Sequence, residues 1–182
     1  MQRRRERYRP VRAVRRDRHV VDLGHACNLL QLGQQRLESS PDGRTAYWAD
    51  TTLTPHQVWR ARYDPHTGRP EEKETFVVFP EGGGRPDGAA VDAAGCYWVA
   101  AVRGSQLLRF TPEGKLDLVV PMPVSRPSKI AFGGSDLNTI FVTSISEGLT
   151  PEAHAAEPLA GALLALDLGI EGLPAMHFRT SR

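Results

Sequence analysis

Cysteine is almost absent from this 182-residue chain, which has only Cys27 and Cys96. Two residues so far apart fit no zinc or Cys-x-x-Cys redox spacing, and their scarcity points to a reducing, cytoplasmic setting. His25 beside Cys27 offers two soft ligands, but nothing nearby completes a metal set. Long hydrophobic runs are also missing. No stretch approaches the ~20 apolar residues that a membrane-spanning helix needs, so no membrane partner is expected. The basic first segment lacks the apolar region of a secretory signal, because Val20-Val21-Asp22-Leu23-Gly24-His25 is broken by charge. It also contains no serine, which argues against a transit peptide. Aromatics make up only 7% of the chain, so the places they occupy carry information.

Turn formers are what the chain has in quantity, with 17 glycines and 14 prolines. Charge is uneven. Nine arginines fall within residues 1–18, although the whole chain is only +2. The remainder is therefore mildly acidic. A basic run of this kind can bind nucleic acid through phosphates, or it can be a solvated tail. With Tyr8 its only aromatic, the tail reading is preferred and nucleic acid is not expected as a partner. The segment is expected to be disordered or at most a solitary exposed helix.

From Leu37 a pattern of short strands begins. Ser40-Pro41-Asp42-Gly43 reads as a turn, followed by strands at Thr45–Asp50 and Gln57–Tyr63 and a short closing run at Phe76–Phe79. The pattern returns at Tyr97–Ala100, Gln106–Phe110 and Leu116–Val120. It returns again at Lys129–Phe132, Thr139–Ser144 and Gly161–Asp167. The third unit carries an insertion, Glu147 to Ala160, with room for one helical turn. Tyr47, Trp98 and Phe141 hold equivalent places in the three units and should be buried between neighbouring sheets. Four short strands per ~40–50 residues is the signature of a β-propeller blade. The expected fold is all-β, an incomplete propeller of about three blades. Three blades cannot close a ring, so self-association through open edges is expected.

One loop stands out for chemistry. Glu81-Gly82-Gly83-Gly84-Arg85-Pro86-Asp87-Gly88 holds a carboxylate between a proline and a glycine just before a strand. Asp87 can be a turn aspartate bonded to its own backbone, or an oxygen donor for a metal, or a base for a substrate.

Three segments in order resemble one family. They are Ser40-Pro-Asp-Gly-Arg-Thr-Ala-Tyr-Trp-Ala-Asp-Thr51, Arg85-Pro-Asp-Gly-Ala-Ala-Val-Asp-Ala-Ala-Gly-Cys-Tyr-Trp-Val-Ala100, and Phe132-Gly-Gly followed by Ile140-Phe-Val-Thr-Ser144. Together with Glu157-Pro-Leu-Ala-Gly-Ala-Leu-Leu-Ala-Leu-Asp167, they are similar to the regucalcin/gluconolactonase family, which includes senescence marker protein and luciferin-regenerating enzyme. The resemblance runs from about Leu37 to Phe178. It implies a six-bladed propeller that hydrolyses a small sugar lactone with one divalent metal ion, which could be calcium, zinc, magnesium or manganese. The family's Pro-Asp-Gly aspartate falls on Asp87, which the resemblance makes both a metal ligand and the catalytic base. The family's other two ligands are a glutamate of the first blade and the asparagine of a Ser-Asn-Gly motif. Neither is found, since Gln34-Gln35-Arg36 stands where Ser-Asn-Gly belongs. Gln35 could offer an amide oxygen, on a longer arm.

The codons CAG-CAA-CGG spell Gln-Gln-Arg, and moved by one base the same letters read Ser-Asn-Gly. The sequence is therefore divided into residues 1–36, a basic leader off the family pattern and read as frame-shifted, and residues 37–182, a three-bladed partial propeller. A clean upstream reading frame without Ser-Asn-Gly would remove the frame-shift hypothesis. The resulting expectation is a metal-dependent lactone hydrolase, truncated and impaired in this chain. The alternatives are a non-catalytic propeller fragment or a basic-tailed nucleic-acid-binding protein.

Overall fold

The computed structural model describes residues 12–13, 36–64, 67 and 69–174. The strands form three sheets, each with four strands. In the first, β2 (Arg36–Ser39), β3 (Thr45–Ala49), β4 (Gln57–Asp64) and β5 (Arg69–Val78) pair antiparallel in chain order. The second repeats this with β6 (Arg85–Val91), β7 (Tyr97–Val102), β8 (Gln106–Phe110) and β9 (Leu116–Pro121). The third uses β10 (Pro127–Gly133), β11 (Thr139–Ser144) and β12 (Leu163–Asp167). Its fourth strand is β1, Arg12–Ala13, which pairs antiparallel with β12 through Arg12↔Ala165 and Ala13↔Leu164. The basic leader, expected to be unstructured or helical, thus supplies a sheet edge at these two residues. Its other residues lie outside those described.

In the second sheet exposure rises from the first strand to the fourth. β6 and β7 are almost wholly buried, whereas β5 and β9 are mostly exposed. The first strand of each sheet is the inner one, since β6 lies between β2 and β10. This is the arrangement of propeller blades around an axis, with the fourth strands facing outward. β5 is much longer than the Phe76–Phe79 run that hydrophobicity marks. Its first seven residues are exposed, so period-two burial is absent where the strand is held only by pairing with β4. The insertion before β12 forms α1 (Pro151–Ala156), where Thr150 caps the helix by accepting from Ala153 N and Pro151 opens it.

Two cores fill the gaps between sheets. Tyr47, Val58, Tyr97, Val99, Leu108 and Phe110 pack between the first and second sheets. Trp98, Leu107, Ile130, Ile140, Val142 and Leu164 pack between the second and third. Tyr47, Trp98 and Phe141 do hold equivalent register positions, opposite Glu38, Ala90 and Ala131. The expectation that all three are buried fails at Phe141, which is only half-buried. Its neighbours Ile140 and Val142 face the second sheet, so Phe141 points the other way, beyond the last described sheet. Among the described residues no helix is long and apolar enough to cross a membrane.

Candidate functional site

The inner strand β6 opens on Arg85-Pro86-Asp87-Gly88, and its pairing with β7 slips between Pro86 and Ala89. Asp87 was expected on a loop leading into the inner strand. It lies instead within β6, at this bulge, and is half-buried between buried Pro86 and Gly88. A bulge disrupts the ladder locally and can re-aim a side chain. Other blades compensate. The Thr51 hydroxyl, just past β3, donates to Pro86 O at 2.8 Å. From the third blade, Lys129 Nζ donates to Ala89 O at 2.6 Å and to Glu38 Oε1 at 2.5 Å. Gly88 is required by this crowding, because a Cβ there would stand 2.5 Å from both Ser128 O and Lys129 Cδ.

The third blade repeats the local sequence as Arg126-Pro127-Ser128-Lys129, and its register also slips directly after the proline. Ser128 thus takes the place of Asp87, and its hydroxyl shares a hydrogen bond with Thr143 at 2.9 Å. Lys129 takes the place of Gly88 and reaches across β6 to β2.

A second polar cluster forms around the turn at residues 92–95. Asp92, fully buried, accepts from the backbone N–H groups of Ala94 and Cys96 at 3.0 and 2.9 Å and from Trp98 Nε1 at 2.9 Å. It also accepts from Arg109, whose guanidinium reaches it through Nε at 2.8 Å and pairs with Asp117 as well. Burial alone would weaken the hold of Arg109 on its proton, but the hydrogen bonds to Asp117 and Asp92 outweigh it. Burial, with the Asp92 charge beside it, pushes the Cys96 thiol up, which makes it a poor nucleophile. With every Asp92 contact internal, the cluster locks the turn at residues 92–95 onto β8. Asp92 itself offers a substrate no exposed oxygen.

The fit of a divalent metal can be tested on the donor set. Among the described residues no group of three or more His, Cys, Asp or Glu side chains is placed to hold a metal ion. Glu38 is already paired with Lys129, whose ammonium puts a positive charge against the same bulge and would repel a cation. Calcium and magnesium take about six or more oxygens, so the described residues do not fit such an ion. Gln35, the other sequence candidate, lies outside the described residues.

Residues 35–146 match the model of the SMP-30/gluconolactonase/LRE-like region. The chain is 39% identical to a 6-deoxy-6-sulfogluconolactonase of Pseudomonas putida over 84% of this chain and 53% of that protein. It is 31% identical to the regucalcin of Xenopus laevis over 78% of this chain and 48% of that protein. Among solved structures, it superposes on a calcium-binding regucalcin from Agrobacterium tumefaciens with a TM-score of 0.74 at 29% identity. That match covers 79% of this chain and 48% of the other. A luciferin-regenerating enzyme gives 0.65 at 26%, covering 75% and 46%. The chain spans about half the length of the relatives it matches. The strand–turn–strand units, their register and these matches agree, and the chain belongs to the SMP-30/gluconolactonase/LRE-like family.

Proposed function

We propose that this chain forms the C-terminal half of a sugar-lactone hydrolase, in which Asp87 is the base. The observation that carries this reading is the placement of Asp87 in a Pro-Asp-Gly bulge of the inner strand where the three described blades meet. The lactonase relative from Pseudomonas putida supports the substrate class. In the proposed step the Asp87 carboxylate takes a proton from water as the water oxygen bonds to the lactone carbonyl carbon. The tetrahedral intermediate then breaks the ring C–O bond. The proton passes to the departing ring oxygen, leaving an open-chain hydroxy acid.

A calcium-binding relative supports a divalent ion in the assembled site. Asp87 would give such an ion one carboxylate, so this chain alone is expected to bind calcium, magnesium, manganese or zinc weakly. Calorimetric titration with each ion checks this, and a tight stoichiometric site would count against it. The non-catalytic reading is favoured by the Lys129–Glu38 pair, which fills donor space beside the bulge.

The two readings separate in a lactone hydrolysis assay. The chain alone is expected to hydrolyse sugar lactones no faster than buffer. A fusion that supplies the preceding blades, with Gln34→Ser, Gln35→Asn and Arg36→Gly, should hydrolyse them. Asp87→Asn in that fusion should then cost about 10²–10⁴-fold in turnover, the usual contribution of a general base. Full activity in the Asp87→Asn fusion would refute the role of Asp87.

A further inference from the structure

We infer that Thr51 and Lys129 are positioning residues that fix the Asp87 bulge from the two neighbouring blades. The inference rests on the reading of Asp87 as the base only for its bearing on catalysis. The geometry stands without it. Between Pro86 and Ala89 the ladder with β7 slips, so the second sheet does not by itself define this backbone. Both flanking carbonyls are taken by other sheets. Thr51 of the first blade holds Pro86 O, and Lys129 of the third holds Ala89 O. Asp87 and Gly88 are the two residues between these anchors.

The Lys129 stem also limits sideways movement. Its Cδ and Cα occupy the space that a Gly88 Cβ would need, at 2.5 and 2.7 Å, so the glycine backbone lies directly against the lysine. The ammonium is itself restrained, because its second acceptor is Glu38 on β2. Lys129 therefore spans all three inner strands, starting on β10, crossing β6 and ending on β2. A base must sit within hydrogen-bond reach of its proton, and a misplacement of ~1 Å can cost 10²-fold in rate. A bulge gives the carboxylate its direction, and the two outside anchors prevent that bulge from sampling other directions. The pair thus serves orientation, and neither residue is required to touch substrate.

The test is amide hydrogen exchange and ¹⁵N relaxation dispersion on the full chain, neither of which needs substrate. Lys129→Met and Thr51→Val are compared with Lys129→Arg and with the surface control Lys115→Met. In Lys129→Met, exchange at Asp87, Gly88 and Ala89 is expected to accelerate at least tenfold, with new dispersion at Gly88. The amides of Val99 and Leu108 should keep their rates. Thr51→Val removes one hydroxyl and should show the same local effect at smaller amplitude, so it reports alone if Lys129→Met fails to fold. Lys129→Arg should restore most of the protection. Unchanged exchange at the bulge in both variants would overturn the inference. So would acceleration spread evenly over β6, β7 and β8, which marks a purely structural role. If the assembled enzyme is inactive while the local exchange effect is present, the functional reading fails and the positioning role stands.

Discussion

The second sheet and the two that flank it are built from one repeat, yet the same position has a different fate in each. Trp98 and Phe141 occupy the same register, but Trp98 is fully buried and Phe141 is half-exposed. The glycine turns before the second strands differ in the same way. In the second sheet, Asp92 is buried beneath Trp98 and Arg109. In the first, Ser40 and Asp42 close an open turn on themselves, with Ser40 Oγ donating to Asp42 Oδ1 at 2.5 Å and Arg44 N donating to the same oxygen at 3.0 Å. A blade with sheets on both sides can bury a charge and a tryptophan together. A blade described with one neighbour keeps its polar turn in solvent.

The largest break in this comparison is expected from Asp92→Ala. It removes one of the two carboxylates that hold Arg109 and strands three N–H donors in a buried site, and should cost about 3–5 kcal/mol in chemical denaturation. Trp98→Ala should cost about 3–5 kcal/mol by opening a cavity. Its register counterpart Phe141→Ala should cost about 1–2 kcal/mol, in proportion to the area it buries. Equal losses at the two positions would show that Phe141 is covered. Ser40→Ala removes the hydroxyl that accepts from Thr45 N and donates to Asp42, and should cost about 0.5–1 kcal/mol.

The smallest effect is one of pH. Burial raises the Tyr97 hydroxyl well above the ordinary tyrosine value of about 10, with the Glu38 charge adding to it. Tyr47, 5.1 Å from it between ring centroids, is raised less, because Arg60 opposes the effect of burial. A raised folded pKa gives stability that is present below the unfolded value and is lost as pH climbs from there toward the folded one. Tyr97→Phe should therefore move the alkaline unfolding midpoint upward by a fraction of a pH unit, and by more than Tyr47→Phe. The reverse order would place the stronger burial at Tyr47.

The repeat was legible because its parts are local. Turn glycines, alternating strands and the spacing of Tyr47, Trp98 and Phe141 all act over a few residues. The first part of β5 was missed because its residues face solvent and carry no burial signal. The role of Asp92 is hidden in the sequence, since nothing near it announces Arg109, seventeen positions on. Asp87 stands out in the sequence between a proline and a glycine, but the bulge that holds it depends on Thr51 and Lys129. Lys129 and Glu38 are 91 positions apart, and no pattern in one sequence connects them. The parallel start of β6 and β10, Arg-Pro at each, was the signal available for that relation and passed unread.

The pairing of Arg12–Ala13 with β12 has a consequence for the order of folding. This short strand waits for a partner more than 150 positions later. The first and second sheets can form from neighbouring hairpins while the third has only part of its edge. Closing so long a loop adds little to the equilibrium cost, since each doubling of length costs only about 0.6 kcal/mol. It weighs more on rate, because long-range pairings form late. Until then the outer edge of β12 presents unpaired N–H and C=O groups, so nascent or heated chains are most exposed to mispairing at that edge.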